Sequence, residues 1–220
     1  MIEAVIFDMD GVLIDSEPLW KIAEKKAFAK VDISLTTEMC NLTMGYRVNE
    51  VVDYWYERSP WSGIPKIEVE HDIVNILIEE VRNQGKAMAG VEYALKSIQA
   101  AGLKIALASS SSSKIINVVV DQLGIRPYFE VIQSAENEEY GKPHPTVFLV
   151  AASKLGVSPT HCLVIEDSVN GVIAAKAARM KVIAIPDKEL AGDKRFAIAD
   201  LMMPSLNELR INELIKKLDN

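Results

Sequence analysis

IEAVIF, residues 2–7, running straight into Asp8-Met9-Asp10-Gly11, sets the reading of the whole chain. A short, apolar, β-branched run that breaks off into a turn-forming sequence predicts a buried strand and then a loop. Further along, the pattern recurs with helices in between. LKIALA (103–108), residues 129–133, CLVI (162–165) and residues 182–185 read as strands. Residues 91–101, 113–123, 146–155 and 169–178 read as helices, the first three closed by Gly102, Gly124 and Gly156. Alternation of helices with continuously apolar strands predicts a parallel sheet covered on both faces.

Between the first strand and this alternation lies a different segment. From about Ser16 to Asn83 the pattern is helical, and it holds all three tryptophans, Trp20, Trp55 and Trp61. Ser16 followed by Pro18 reads as a helix start. Ser59-Pro60 and Gly63-Ile64-Pro65 read as breaks. The expected fold class is therefore α/β, an open parallel-sheet (Rossmann-like) core with an α-helical cap inserted after the first strand. Residues 1–15 and 86–220 are assigned to the core and 16–85 to the cap. The tail reads as helical from about Ser205.

Composition narrows the function. The chain has 220 residues, 49% of them apolar and 25% charged, which suits an ordinary globular protein. A net charge of -7 without a basic stripe argues against nucleic acid and against an anionic membrane surface as partners. No apolar run is long enough for a bilayer, and no charged leader with a cleavage site precedes the first strand. The expectation is a cytoplasmic monomer. Cys40 and Cys162, far apart in sequence, read as reduced buried thiols. His71, His144 and His161 have no metal-ligand spacing.

In open parallel sheets ligands bind beyond the carboxyl ends of the strands. Asp8 and Asp10 follow the first strand, Ser109, Ser110 and Ser111 follow LKIALA, and Glu166 and Asp167 follow CLVI. Lys142 precedes a helix in the loop Gly141-Lys142-Pro143. Carboxylates from two loops suit Mg²⁺, a hard ion that takes oxygen ligands. A carboxylate can attack phosphorus. A second carboxyl can pass protons to the leaving group and from water. Ser and Lys can hold the oxygens of a transferring phosphoryl group. Each element also has a plainer reading. Asp is common in turns, Glu166-Asp167 suits a helix start, and the serine run has the composition of a linker. Their joint placement at one sheet edge favours the chemical reading.

These motifs resemble, in order and across nearly the whole chain, those of the haloacid dehalogenase-like hydrolases. Asp8-Met9-Asp10-Gly11-Val12 matches the first, Ser109 the second, Lys142 in GKPHP the third, and Glu166-Asp167 in IEDSVNG the fourth. The resemblance implies Asp8 as nucleophile, Asp10 as general acid/base, and Ser109 and Lys142 as phosphate holders. It also implies a Mg²⁺ site drawn from Asp8, Asp10, Glu166 and Asp167. Asp15 to Trp20, Gly45-Tyr46-Arg47 and EDSVNGVIAAKAARM (166–180) look like the sugar-phosphatase group around 2-deoxyglucose-6-phosphatase and hexitol phosphatase. A small phosphorylated metabolite, a sugar or sugar-alcohol phosphate, is the expected partner. Trp20 and Arg47 are expected to face it, although Trp20 also suits core packing of the first cap helix. The related β-phosphoglucomutases carry a histidine at the position of Trp20, so the resemblance implies hydrolysis over mutase chemistry. True dehalogenases carry an aromatic residue at the position of Asp10. A receiver module that keeps its phosphoryl group and an inactive scaffold are the remaining alternatives.

Overall fold

The computed structural model describes residues 1–188 and 190–218. Its centre is a six-stranded parallel sheet of β1 (Ala4–Phe7), β2 (Lys104–Ser109), β3 (Val131–Ser134), β4 (Cys162–Glu166), β5 (Lys181–Ala184) and β6 (Leu201–Met202). The spatial order is β3-β2-β1-β4-β5-β6. The chain thus winds one way from β1 through β2 to β3, then crosses back beyond β1 to β4. This reversal opens a crevice beside the carboxyl end of β1.

Alternation along the strands builds two cores. Ala4 and Ile6 of β1 face the same way as Ala106 and Ala108 of β2 and as Cys162 and Val164 of β4. On that side they meet Phe148, Ala151 and Ala152 of α7 (Thr146–Leu155) and Val172 and Ala175 of α8 (Val169–Ala177). Val5, Phe7, Ile105, Leu107, Leu163 and Ile165 face the opposite side. They pack there with Leu95 and Ile98 of α5 (Val91–Ala100), Ile116 and Val120 of α6 (Ser113–Gln122), and Ile211 of α9 (Ile211–Leu218). Burial on both faces is why β1 and residues 105–108 and 162–165 are apolar and not alternating.

Four helices intervene between β1 and α5: α1 (Glu17–Ala29), α2 (Thr37–Cys40), α3 (Val48–Arg58) and α4 (Lys66–Gln84). Ala23 and Phe28 of α1, Val52 and Trp55 of α3, and Ile73 and Leu77 of α4 are buried among them. The segments entering and leaving this unit run beside each other. Ile14 bridges Ala87 in antiparallel fashion. Asp15 N–H donates to the Lys86 carbonyl at 3.0 Å, and Met88 N–H to that of Leu13 at 3.0 Å.

Three local expectations are corrected. The third strand, expected over 129–133, spans Val131–Ser134 and follows a 3₁₀ turn at Arg126–Tyr128. The tail is not helical from Ser205: a 3₁₀ turn at Leu206–Glu208 precedes α9. The sixth strand, only two residues long, was not expected at all. Cys40 and Cys162 are free and buried. Among the described residues, no helix is long and apolar enough to cross a membrane.

Phe148 is fully buried between β1, β2 and the helices above. Phe148→Ala is expected to cost about 3–5 kcal/mol in urea unfolding, as large-to-small core changes do. A loss under about 1 kcal/mol would mean that the α7 face is not the tightly packed core described.

Candidate active site

Asp8 follows the last residue of β1, and its N–H donates to the Ile165 carbonyl at 2.9 Å, so it continues the sheet by one residue. Its carboxylate meets the Lys142 ammonium: Nζ donates to Asp8 Oδ1 at 2.6 Å and to Glu166 Oε1 at 2.7 Å. All three side chains are buried. Glu166 Oε2 accepts from Ser168 N–H at 2.7 Å and Ser168 Oγ at 3.0 Å. Ser168 caps α8 in turn, its Oγ accepting from Gly171 N–H at 3.0 Å. Glu166 thus fixes Lys142 with one oxygen and the start of α8 with the other.

Two glycines make room for the carboxylates. A Cβ on Gly171 would collide with the Glu166 carboxylate. A Cβ on Gly11 would collide with that of Asp167, and Gly11 also holds a φ of +71°, which side-chain-bearing residues rarely adopt. Asp8, Glu166 and Asp167 bring carboxylate oxygens within 4.8 Å of one another. Burial pushes the Asp8 carboxyl up to about 7 against the pull of Lys142. Burial, with Glu166 and Asp8 adding repulsion, raises Asp167 well above the usual carboxylate range. Burial alone would lower Lys142, but Asp8 and Glu166 outweigh it and hold the ammonium above its ordinary value. Three buried carboxylates against one ammonium are short of positive charge. A hard divalent cation fits that deficit and that all-oxygen donor set. Asp8 and Asp167 are its best-placed holders, since both Glu166 oxygens are engaged.

Asp10 stands apart from this cluster. Its Oδ1 accepts from Ser16 Oγ at 2.6 Å and Trp20 Nε1 at 2.8 Å, and its Oδ2 from Ser111 Oγ at 2.8 Å. These three donors occupy the Asp10 carboxylate, which lies outside the group formed by Asp8, Glu166 and Asp167. Ser16 precedes α1 but makes no side-chain cap, its hydroxyl being spent on Asp10. Ser109 Oγ accepts from Ser111 N–H at 3.0 Å, shaping the turn after β2. Ser110 Oγ is buried with no hydrogen-bond partner.

One cavity is lined by Asp8, Asp10, Trp20, Ser109, Ser110, Ser111, Lys142, Glu166 and Asp167 together. Arg47 is not part of this lining. Its guanidinium donates to the Glu138 carbonyl at 2.6 Å and to Glu50 Oε1 at 2.7 Å, which fastens α3 to the loop before Lys142. Arg47, expected to face the substrate, is placed by the structure against these acceptors, with its Nε buried and without a hydrogen-bond partner. The cavity also includes Glu17, Glu24, Cys40 and Tyr46, none of them expected. Burial pushes the Glu17 and Glu24 carboxyls up to about 7. The spacing of positions 17, 20 and 24 on one helix face was the available signal.

The sequence profile of the haloacid dehalogenase-like hydrolases matches residues 5–185. Hexitol phosphatase B of Escherichia coli K12 is 44% identical over 96% of this chain and 96% of its own. Among solved structures, CbbY from Rhodobacter sphaeroides in complex with phosphate superposes with a TM-score of 0.88 at 25% identity, covering 96% of this chain and 97% of that one. A β-phosphoglucomutase from Clostridium difficile does so with a TM-score of 0.86 at 29% identity, covering 100% and 98%.

The raised carboxyls give the cation site a pH signature. Protons on Asp8 and Asp167 stabilise the metal-free fold, and that contribution fades as pH rises through the raised pKa values, about 7 for Asp8. A cation takes the place of those protons, so its stabilising effect grows over the same interval. Mg²⁺ is expected to raise Tm more at about pH 8 than at about pH 6, and Asp167→Asn to abolish most of the shift. No shift at either pH would remove the cation site.

Proposed function

The chain belongs to the haloacid dehalogenase-like hydrolases, and on that premise we propose that it is a magnesium-dependent phosphatase acting on small sugar or sugar-alcohol phosphates through an aspartyl-phosphate on Asp8. The observation that carries the reading is the meeting of Asp8, Lys142, Asp167 and the Ser109–Ser111 turn at the crevice beside β1. The identity with hexitol phosphatase B supports the substrate class.

A substrate phosphate would be held by Lys142 and by the turn after β2, where the Ser110 hydroxyl is without a partner. A bound Mg²⁺ would supply positive charge that screens the phosphate from the carboxylate attacking it. An Asp8 oxygen attacks phosphorus and the bond to the leaving oxygen breaks. Asp10 donates its proton to that oxygen. It then removes a proton from water, which attacks the aspartyl-phosphate, releases phosphate and restores Asp8. The contacts on Asp10 suit both of its states. The Trp20 indole can only donate, so it fixes Oδ1 as an acceptor and leaves Oδ2 to carry the proton. The Ser111 hydroxyl beside Oδ2 can donate or accept and keeps its contact either way.

The mutase reading draws on the likeness to β-phosphoglucomutase structures. Against it stands Trp20, where those enzymes carry histidine.

Phosphate release would be measured across sugar and polyol phosphates with and without Mg²⁺, while glucose 1-phosphate is followed for conversion to glucose 6-phosphate. Magnesium-dependent release is expected, reduced by at least about a thousandfold in Asp8→Asn, as loss of a nucleophile costs. Isomerisation outpacing release would make the chain a mutase.

A further inference from the structure

Glu24 is the cavity residue that the mechanism leaves unused. It lies on α1 one turn beyond Trp20 and is only 7% exposed. Cys40 lines the same cavity. Glu24 Oε2 has no partner, although it is buried and the residue lines the cavity. A buried acceptor without a donor carries a desolvation cost that a ligand hydroxyl can relieve.

The charges of the cavity point the same way. Lys142 is the only cation among its described lining residues, and Asp8 and Glu166 already hold it. On the side formed by α1 the lining offers the carboxyls of Glu17 and Glu24. In the adjoining cleft, Lys21 and Arg195 are paired with Glu17 and Asp193. A second phosphate or a carboxylate on the leaving group would therefore find no spare cation among these residues. A neutral chain of hydroxyls would meet acceptors.

We propose that Glu24 is the specificity-determining residue of this cavity, accepting hydrogen bonds from hydroxyls of an uncharged polyhydroxy leaving group and rejecting a doubly phosphorylated one. This rests on the phosphatase reading above and narrows it to monophosphates of neutral polyols and sugars. A site that hydrogen-bonds a hydroxyl discriminates against analogues lacking it, because its own polar group is otherwise left unpaired.

The test compares the magnesium-loaded wild type with Glu24→Gln and Glu24→Leu. For each, kcat/KM is measured for sorbitol 6-phosphate, for phenyl phosphate, which has no hydroxyls on its leaving group, and for fructose 1,6-bisphosphate. In Glu24→Leu the preference for sorbitol 6-phosphate over phenyl phosphate is expected to fall by at least about tenfold, and its preference over the bisphosphate to shrink. Glu24→Gln, of the same shape and with one acceptor retained, is expected to fall between, and it carries the test if the leucine variant does not fold. Ratios within about twofold of wild type in every folded variant would overturn the proposal while leaving the phosphatase reading intact. A wild type that releases phosphate from none of the three would overturn that reading, and this one with it.

Discussion

The Lys142 ammonium, wedged between Asp8 and Glu166, is the interaction on which the site depends. Removing ions from water is costly, and the cost is recovered only with close pairing and well-placed hydrogen bonds. Here each partner is tied to a different part of the fold. Asp8 continues β1, Glu166 ends β4 and anchors the first turn of α8, and Lys142 arrives from the loop before α7. Its Nζ also lies 4.7 Å from the centroid of the Phe148 ring, in the core packed between the sheet and α7. The charged cluster and the apolar core are therefore mutually dependent.

The same crowding explains why the cluster does not settle as a neutral salt bridge. One ammonium satisfies Asp8 and Glu166, while Asp167 lies within 4.8 Å of both in space that Gly11 leaves open. A protein built only for stability would gain little from a third buried carboxylate beside two others. The excess negative charge suits a divalent cation, and a bound cation would in turn suit an anionic phosphate.

The sheet was legible because burial on both faces leaves β1 and residues 105–108 and 162–165 apolar without interruption, and the site was legible because its residues follow those strands directly. What escaped the sequence was local competition for partners. Ser16 looks like a helix cap, yet Asp10 takes its hydroxyl. Arg47 is expected from the sequence to face the substrate, and in the structure it donates to backbone carbonyls of residues 135, 138 and 139. Strand β6 has two residues and carries no periodicity to detect. Glu24 reads as one more charge on an amphipathic helix, and only the packing of α1 over the crevice buries it.

The paired segments that join the helical unit to the sheet have a mechanical consequence. Hydrogen bonds from Asp15 to Lys86 and from Met88 to Leu13 make the two connections one ribbon instead of two independent tethers. Sliding one connection along the other would break both bonds, whereas twisting the ribbon keeps them. The unit carrying Trp20 and Glu24 is thereby joined to the sheet by one paired connection, to which the Arg47 contacts with residues 135–139 add a second hold.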